Sequence, residues 1–152
     1  MIICHKYKLL FVGLPFSASS AISKELHLQY EGESFLRKHS LYHEFEKVAT
    51  KQELEYFVFG VLRNPMDITV TMFEKMKANT KGNFTNSKLF TENGGHISSK
   101  QRKAFNFIQD NKATFEEYFI EFFQKPYDNL VSLTIDSFDY IIRYENISDN
   151  YM

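Results

Sequence analysis

Tyr56-Phe57-Val58-Phe59-Gly60-Val61-Leu62-Arg63-Asn64-Pro65-Met66-Asp67-Ile68-Thr69-Val70-Thr71 is the stretch on which the fold turns. Its first seven residues form an apolar, β-rich run that suits a strand buried in a parallel sheet. The run stops at Arg63. Asn64-Pro65 then breaks it, because proline has no N–H to give to a sheet ladder. Proline is also well placed at the start of a helix, here predicted to reach about Ala78. This order sets a guanidinium at the carboxyl end of a strand, with Thr71 about two turns along the next helix. In open α/β sheets ligands collect at that strand end. An arginine there, beside a hydroxyl, suits a phosphate, since its planar fork donates two hydrogen bonds at once. The plainer readings are a strand-end ion pair from Arg63 to Asp67 and a bond from Thr71 to a helix carbonyl.

A second strand–loop–helix unit lies upstream. The predicted strand Tyr7–Val12 enters Gly13-Leu14-Pro15-Phe16-Ser17-Ala18-Ser19-Ser20, and a helix follows over Ser19–Gln29 until Gly32 breaks it. Small and hydroxyl residues at such a turn can wrap an anion with backbone N–H groups, aided by the helix dipole. The loop offers those groups and the hydroxyls of Ser17, Ser19 and Ser20. An ordinary helix-capping cluster is the competing reading. The Walker pattern G-x-x-x-x-G-K-[ST] is half present. Gly13 and Ser20 match its ends, while Ala18 and Ser19 stand at its second glycine and its lysine. Lacking the lysine that holds the β- and γ-phosphates, the loop argues against a nucleoside triphosphatase or a kinase-like domain.

The rest of the chain continues the alternation. A short helix is expected near Leu41–Val48. Asn79 to Ser99 reads as a long polar loop near an acceptor. Ser98–Asn111 and Ala113–Phe123 read as helices, the second capped by Thr114 with Glu117 three residues on and ended by Pro126. Asn129–Thr134 is a candidate strand. Phe138–Arg143 is a stronger one, expected inside the sheet from its nearly continuous apolar run. Strands alternating with helices predict an α/β fold, a parallel sheet flanked by helices, in a single domain over 1–152.

Four pieces of the chain together resemble the sulfotransferase family, its carbohydrate branch in particular. Pro15-Phe16-Ser17-Ala18-Ser19-Ser20 stands where the family carries P-K-[ST]-G-[TG]-[TS]. Leu62-Arg63-Asn64-Pro65-Met66-Asp67-Ile68-Thr69-Val70-Thr71 is similar to V-R-N-P-x-D-R-x-V-S. Lys38-His39-Ser40-Leu41-Tyr42 resembles K-H-[AS]-x-x, and Ile142-Arg143-Tyr144-Glu145-Asn146-Ile147 resembles a segment built on R-[YF]-E-N-[LI]. The pieces occur in family order over nearly the whole chain. The resemblance implies the P-loop nucleoside-triphosphate-hydrolase-like fold of sulfotransferases. It implies the donor 3′-phosphoadenosine 5′-phosphosulfate and a hydroxyl acceptor, a sugar in the carbohydrate branch. Ser17, Ala18, Ser19 and Ser20 would hold the 5′-phosphosulfate, and Arg63 and Thr71 the 3′-phosphate. His39 is the candidate base, since imidazole accepts a proton near neutral pH. Two departures stand out. Phe16 replaces the loop lysine and Ala18 a glycine; losing one preorganised donor of that kind costs on the order of 10²–10³ in rate. Lys38 is the nearest candidate for the missing charge. Family members also continue well past the R-Y-E-N segment, so the C-terminal part of the family fold is expected to be missing. An open donor site follows, with apolar surface near the C-terminus that a second copy of the chain would cover. A catalytically impaired nucleotide- or ligand-binding domain of the same fold is the alternative function.

Composition narrows the field further. The chain has 152 residues, 43% hydrophobic and 24% charged, enough for a sizeable core. A net charge of -1 gives no electrostatic case for nucleic acid or an anionic membrane. Sixteen Phe and nine Tyr with no Trp point to a Phe-rich core. Cys4, the single cysteine, excludes an internal disulfide. His39 and His43, four residues apart, suit a metal pair, but no third ligand is marked and no metal is expected. No run reaches the roughly 18 apolar residues of a membrane span. Lys6 and Lys8 interrupt the apolar N-terminus, so the sequence reads as cytoplasmic.

Overall fold

The connection between the first two strands explains why the sheet is mixed. In the computed structural model, which describes residues 1–123 and 135–150, strand β1 (Ile2–Cys4) turns through a single 3-10 turn, His5–Tyr7, into β2 (Leu9–Val12). Lys8 closes the turn with a left-handed φ of 53°. So short a link can join only antiparallel strands, and Ile2 pairs with Phe11, Ile3 with Leu10 and Cys4 with Leu9. Helix α1 (Ser19–Gln29), strand β3 (Glu33–Ser34), helix α2 (Tyr42–Glu46) and strand β4 (Phe57–Leu62) follow. Helices α3 (Pro65–Lys77), α4 (Ser99–Asn111) and α5 (Phe115–Phe122) precede strand β5 (Tyr140–Arg143). The sheet order is β3-β1-β2-β4-β5. β2, β4 and β5 run parallel; β1 is antiparallel to both its neighbours.

The chain is thus α/β, but the sheet expected to be parallel is parallel only over three strands. The second correction concerns the last strand. Its apolar residues suggested an internal position, yet among the described residues β5 is an edge strand and Tyr140 is 49% exposed. The candidate strand Asn129–Thr134 and the helix stop at Pro126 lie outside the described residues.

The described residues gather into two compact units. The first takes Met1–Asn64 and the described part of Asp128–Met152; the second is the described part of Pro65–Tyr127. In the first, strand alternation sorts side chains onto two faces. Ile3, Leu10, Val12 and Val58 pack with Phe45 of α2 on one face; Ile2, Cys4, Phe11 and Val61 pack with Ile22 and Leu26 of α1 on the other. Gly60 has no room for a side chain: a Cβ there would stand 2.5 Å from the Phe138 ring. α1 has its expected bounds, but the residue that turns left-handed after it is Glu31 (φ 52°), not Gly32. Gly32 is needed for space, since a Cβ would meet Ile2 Cγ2 at 2.8 Å and the Leu26 carbonyl oxygen at 2.9 Å.

The second unit is a helical cluster around Phe73, Met76, Phe105, Ile108 and Tyr118. Its helices begin as their sequences require. Ser98 with Gln101, and Thr114 with Glu117, each form a reciprocal capping box. The segment expected to be a long polar loop is packed. Phe84 and Ile97 are buried, Phe84 stacks on Phe105 at 5.4 Å, and Ile97 N–H donates to the Leu89 carbonyl at 2.8 Å. Its polar composition concealed these apolar anchors, which arrive singly between short 3-10 turns.

Candidate anion site at the strand-to-helix loop

The loop leaves the carboxyl end of β2 at Gly13, where only hydrogen fits comfortably. A Cβ would lie 3.2 Å from Ser19 Cβ and 3.3 Å from the Lys38 carbonyl oxygen. Two of the next residues, Phe16 (φ 61°) and Ala18 (φ 56°), occupy the left-handed region that glycine prefers. Their alternation curls the chain into the first turn of α1, and the Ala18 carbonyl accepts from the N–H groups of Ala21 at 2.9 Å and Ile22 at 3.2 Å. No side chain caps this helix. The N–H groups of Ser19 and Ser20 consequently find no protein acceptor among the described residues, the condition in which a helix start attracts an anion.

The three loop hydroxyls have different fates. Ser17 is 1% exposed and its Oγ donates to the Leu14 carbonyl at 2.7 Å, so it holds the loop together. Ser19 is buried as well. Ser20 is exposed, and its Oγ accepts from Lys38 Nζ at 2.7 Å. A cation from a segment 18 residues away therefore stands at the end of the loop. The backbone nitrogen of Met1 pins that segment, donating to the carbonyls of Arg37 at 2.9 Å and Lys38 at 3.3 Å.

His39 sits beside the loop, its Nδ1 2.6 Å from the Gly13 carbonyl oxygen. A carbonyl only accepts, so Nδ1 carries the proton, and Nε2 of the neutral ring holds the lone pair. His43 does not share a helix face with His39, because α2 begins at Tyr42. Among the described residues no group of three His, Cys, Asp or Glu side chains is placed to hold a metal ion.

Arg63, at the end of β4, reaches the same loop. Its Nη1 donates to the Phe16 carbonyl at 3.2 Å, and its guanidinium carbon lies 4.5 Å from the centroid of the Tyr144 ring. Next to it, the Asn64 N–H donates to Glu145 Oε1 at 2.8 Å. That bond, ahead of the bond from its own N–H and the nearby charges of Arg143 and Arg63, holds the Glu145 carboxylate below its ordinary value. The Arg-Asn and Tyr-Glu pieces, 81 residues apart in sequence, are thus in direct contact.

The first unit therefore brings together Ser17, Ala18, Ser19, Ser20, His39 and Arg63, with Lys38 beside them. Thr71 lies half-buried on α3, in the second unit. On the same helix Thr69 makes a bond of the kind considered for Thr71, its Oγ1 donating to the Pro65 carbonyl at 3.0 Å. Sequence reasoning missed Tyr144 as the platform under Arg63. It also missed Lys24, His27 and Ser34, which line a cavity with Lys38 and Ser20. For α1 the signal was there: Ser20, Ser23, Lys24 and His27 follow the i, i+3, i+4, i+7 spacing of one helix face.

No protein-family model, curated protein or solved structure matches this chain.

Proposed function

We propose that the chain is a sulfotransferase-like protein of P-loop type. It would bind 3′-phosphoadenosine 5′-phosphosulfate at the loop Gly13–Ser20 and pass the sulfuryl group to a hydroxyl, on a sugar. The observation that carries this reading is Lys38 Nζ against Ser20 Oγ. It supplies at the loop end the positive charge that sulfuryl transfer requires and that Phe16 cannot provide. In this reading the N–H groups of Ser19 and Ser20, with Lys38, take the charge that grows on the leaving phosphate as the sulfur–oxygen bond breaks. His39 Nε2 accepts the proton of the attacking hydroxyl while the new sulfur–oxygen bond forms; Gly13 holds the ring in the tautomer that leaves Nε2 open. Arg63, resting on Tyr144, belongs to the 3′-phosphate. The alternative, a binding domain without turnover, draws on Phe16 and on the engagement of Arg63 with the loop backbone.

Calorimetric titration separates these readings. The protein should bind 3′-phosphoadenosine 5′-phosphate more tightly than 5′-AMP, and Arg63→Ala should remove most of the difference, about 1.5–3 kcal/mol for a charged hydrogen-bond set. Equal affinity in the wild type would sink the assignment. If binding holds, transfer of radiolabelled sulfate that drops on Lys38→Ala supports the enzyme; binding with no transfer leaves the impaired domain.

A further inference from the structure

One cavity of the first unit, about 480 Å³ in volume, lies alongside α1 and meets the loop at Gly13, Ser20 and Lys38. Its volume is in the range of small-molecule sites. Lys24, His27 and Lys38 line it, and no aspartate or glutamate does. That is a marked local excess in a chain with 18 basic and 19 acidic residues. The carboxylates of this unit that pair with cations are used elsewhere, Glu31 with Lys6 and Glu44 with Arg37. Neither Lys24 nor Lys38 has a carboxylate partner among the described residues. Like charges gathered on one concave wall repel one another, and an anion between them reverses the sign of that energy.

The cavity is also built to hold orientation. His27 Nδ1 donates to the Gly32 carbonyl at 2.5 Å, anchoring the ring to the end of its own helix, and Nε2 lies 3.4 Å from Ser34 Oγ. Ser20, Ser23 and Ser34 add three hydroxyls to the wall, over an apolar floor that includes Ile2 and Phe11. Hydroxyls that donate and accept, beside ammonium groups that only donate, match a polyol carrying one negative group.

We propose that this cavity binds a small polyhydroxylated molecule with a single carboxylate or phosphate, Lys24 and Lys38 taking the anionic group and the serines its hydroxyls. Its use as the acceptor's place rests on the sulfuryl-transfer reading, since Ser20 and Lys38 belong to both loop and cavity; the binding itself does not.

The test is a ¹⁵N NMR titration of the full chain with glucuronate, glucose 6-phosphate and glucose, run beside 3′-phosphoadenosine 5′-phosphate. At least one charged sugar should shift the amide resonances of Ser20, Lys24, His27 and Ser34, with glucose at least tenfold weaker. Which of the two binds identifies carboxylate or phosphate as the group recognised. Lys24→Ala, at an exposed position, should weaken the charged sugar at least fivefold and leave the nucleotide unchanged, and Lys24→Arg should restore most of the loss. Glucose binding as well as the charged sugars, or no sugar shifting these residues, overturns the proposal. Sugar binding without nucleotide binding leaves the cavity standing and removes the sulfuryl-transfer reading; the reverse removes the cavity proposal alone.

Discussion

Ala18 and Phe16 concentrate the conflict between this sequence and its loop. Both hold left-handed φ angles, which cost an L-residue roughly 1–2 kcal/mol. At Ala18 a glycine would release that strain, less the 0.5–1 kcal/mol by which glycine's freedom favours the unfolded chain. Ala18→Gly is therefore expected to stabilise the protein by about 0.5–1 kcal/mol in urea unfolding. An unchanged or lowered midpoint would mean that the loop does not hold this conformation in solution. Phe16 offers a functional counterpart. Its carbonyl already accepts from Arg63, a bond that any side chain preserves. Under the proposed sulfuryl-transfer reading, Phe16→Lys is expected to raise transfer more than nucleotide affinity, because the added charge would act mainly as the leaving phosphate develops its own. Affinity and rate rising by the same factor would place the lysine in ground-state binding only.

The elements that position the site are braced where strands end. β4 is held at its carboxyl end by Glu145, which takes the Asn64 N–H, and at its start by Asp139, which takes the Val58 N–H at 2.7 Å. Because the Asn64 N–H, foremost, holds the Glu145 carboxylate below its ordinary value, the direction of its pH dependence follows. Its stabilising effect is complete above the unfolded carboxylate range and fades as pH falls through the folded value. Glu145→Gln keeps an acceptor and loses the titration. Thermal melts should show the wild type ahead of the variant at neutral pH, and the gap closing as the solution is acidified through the carboxylate range. A gap that is constant with pH would show that Glu145 acts by shape and not by charge. The capping boxes at Ser98 and Thr114 are the same kind of device within the helices, and the second was readable from its T-x-x-E spacing.

At the scale of the whole molecule, the Phe-rich composition becomes aromatic clustering. Tyr118 is 1% exposed and its ring lies 5.5 Å from Phe73 and 5.7 Å from Phe122. Burial pushes its phenol from 10.0 up to about 12. The fold thus requires the neutral form, whose contribution is full below the unfolded value and is lost as pH rises through the folded one. Tyr118→Phe should flatten that alkaline loss, whereas Tyr118→Ala should cost about 3–5 kcal/mol. A Tyr118→Phe variant that melts in alkali like the wild type would assign the loss to other groups. How much of this molecule its sequence determined follows from the range of the interactions involved. The strand and helix of residues 56–71, the bounds of α1, the capping box at Thr114 and the loop's place at a strand end rest on local pattern, and the sequence alone was enough for them. The antiparallel β1, the edge position of β5 among the described residues, the anchoring of residues 79–99 and the contact of Arg63 with Tyr144 were decided only by tertiary structure. So were the reach of Lys38 to Ser20 and the carboxylate-free cavity beside α1. Each of these depends on where residues far apart in the chain come to lie, and on steric fit at positions such as Gly60 and Gly32, which hydrophobic periodicity does not encode.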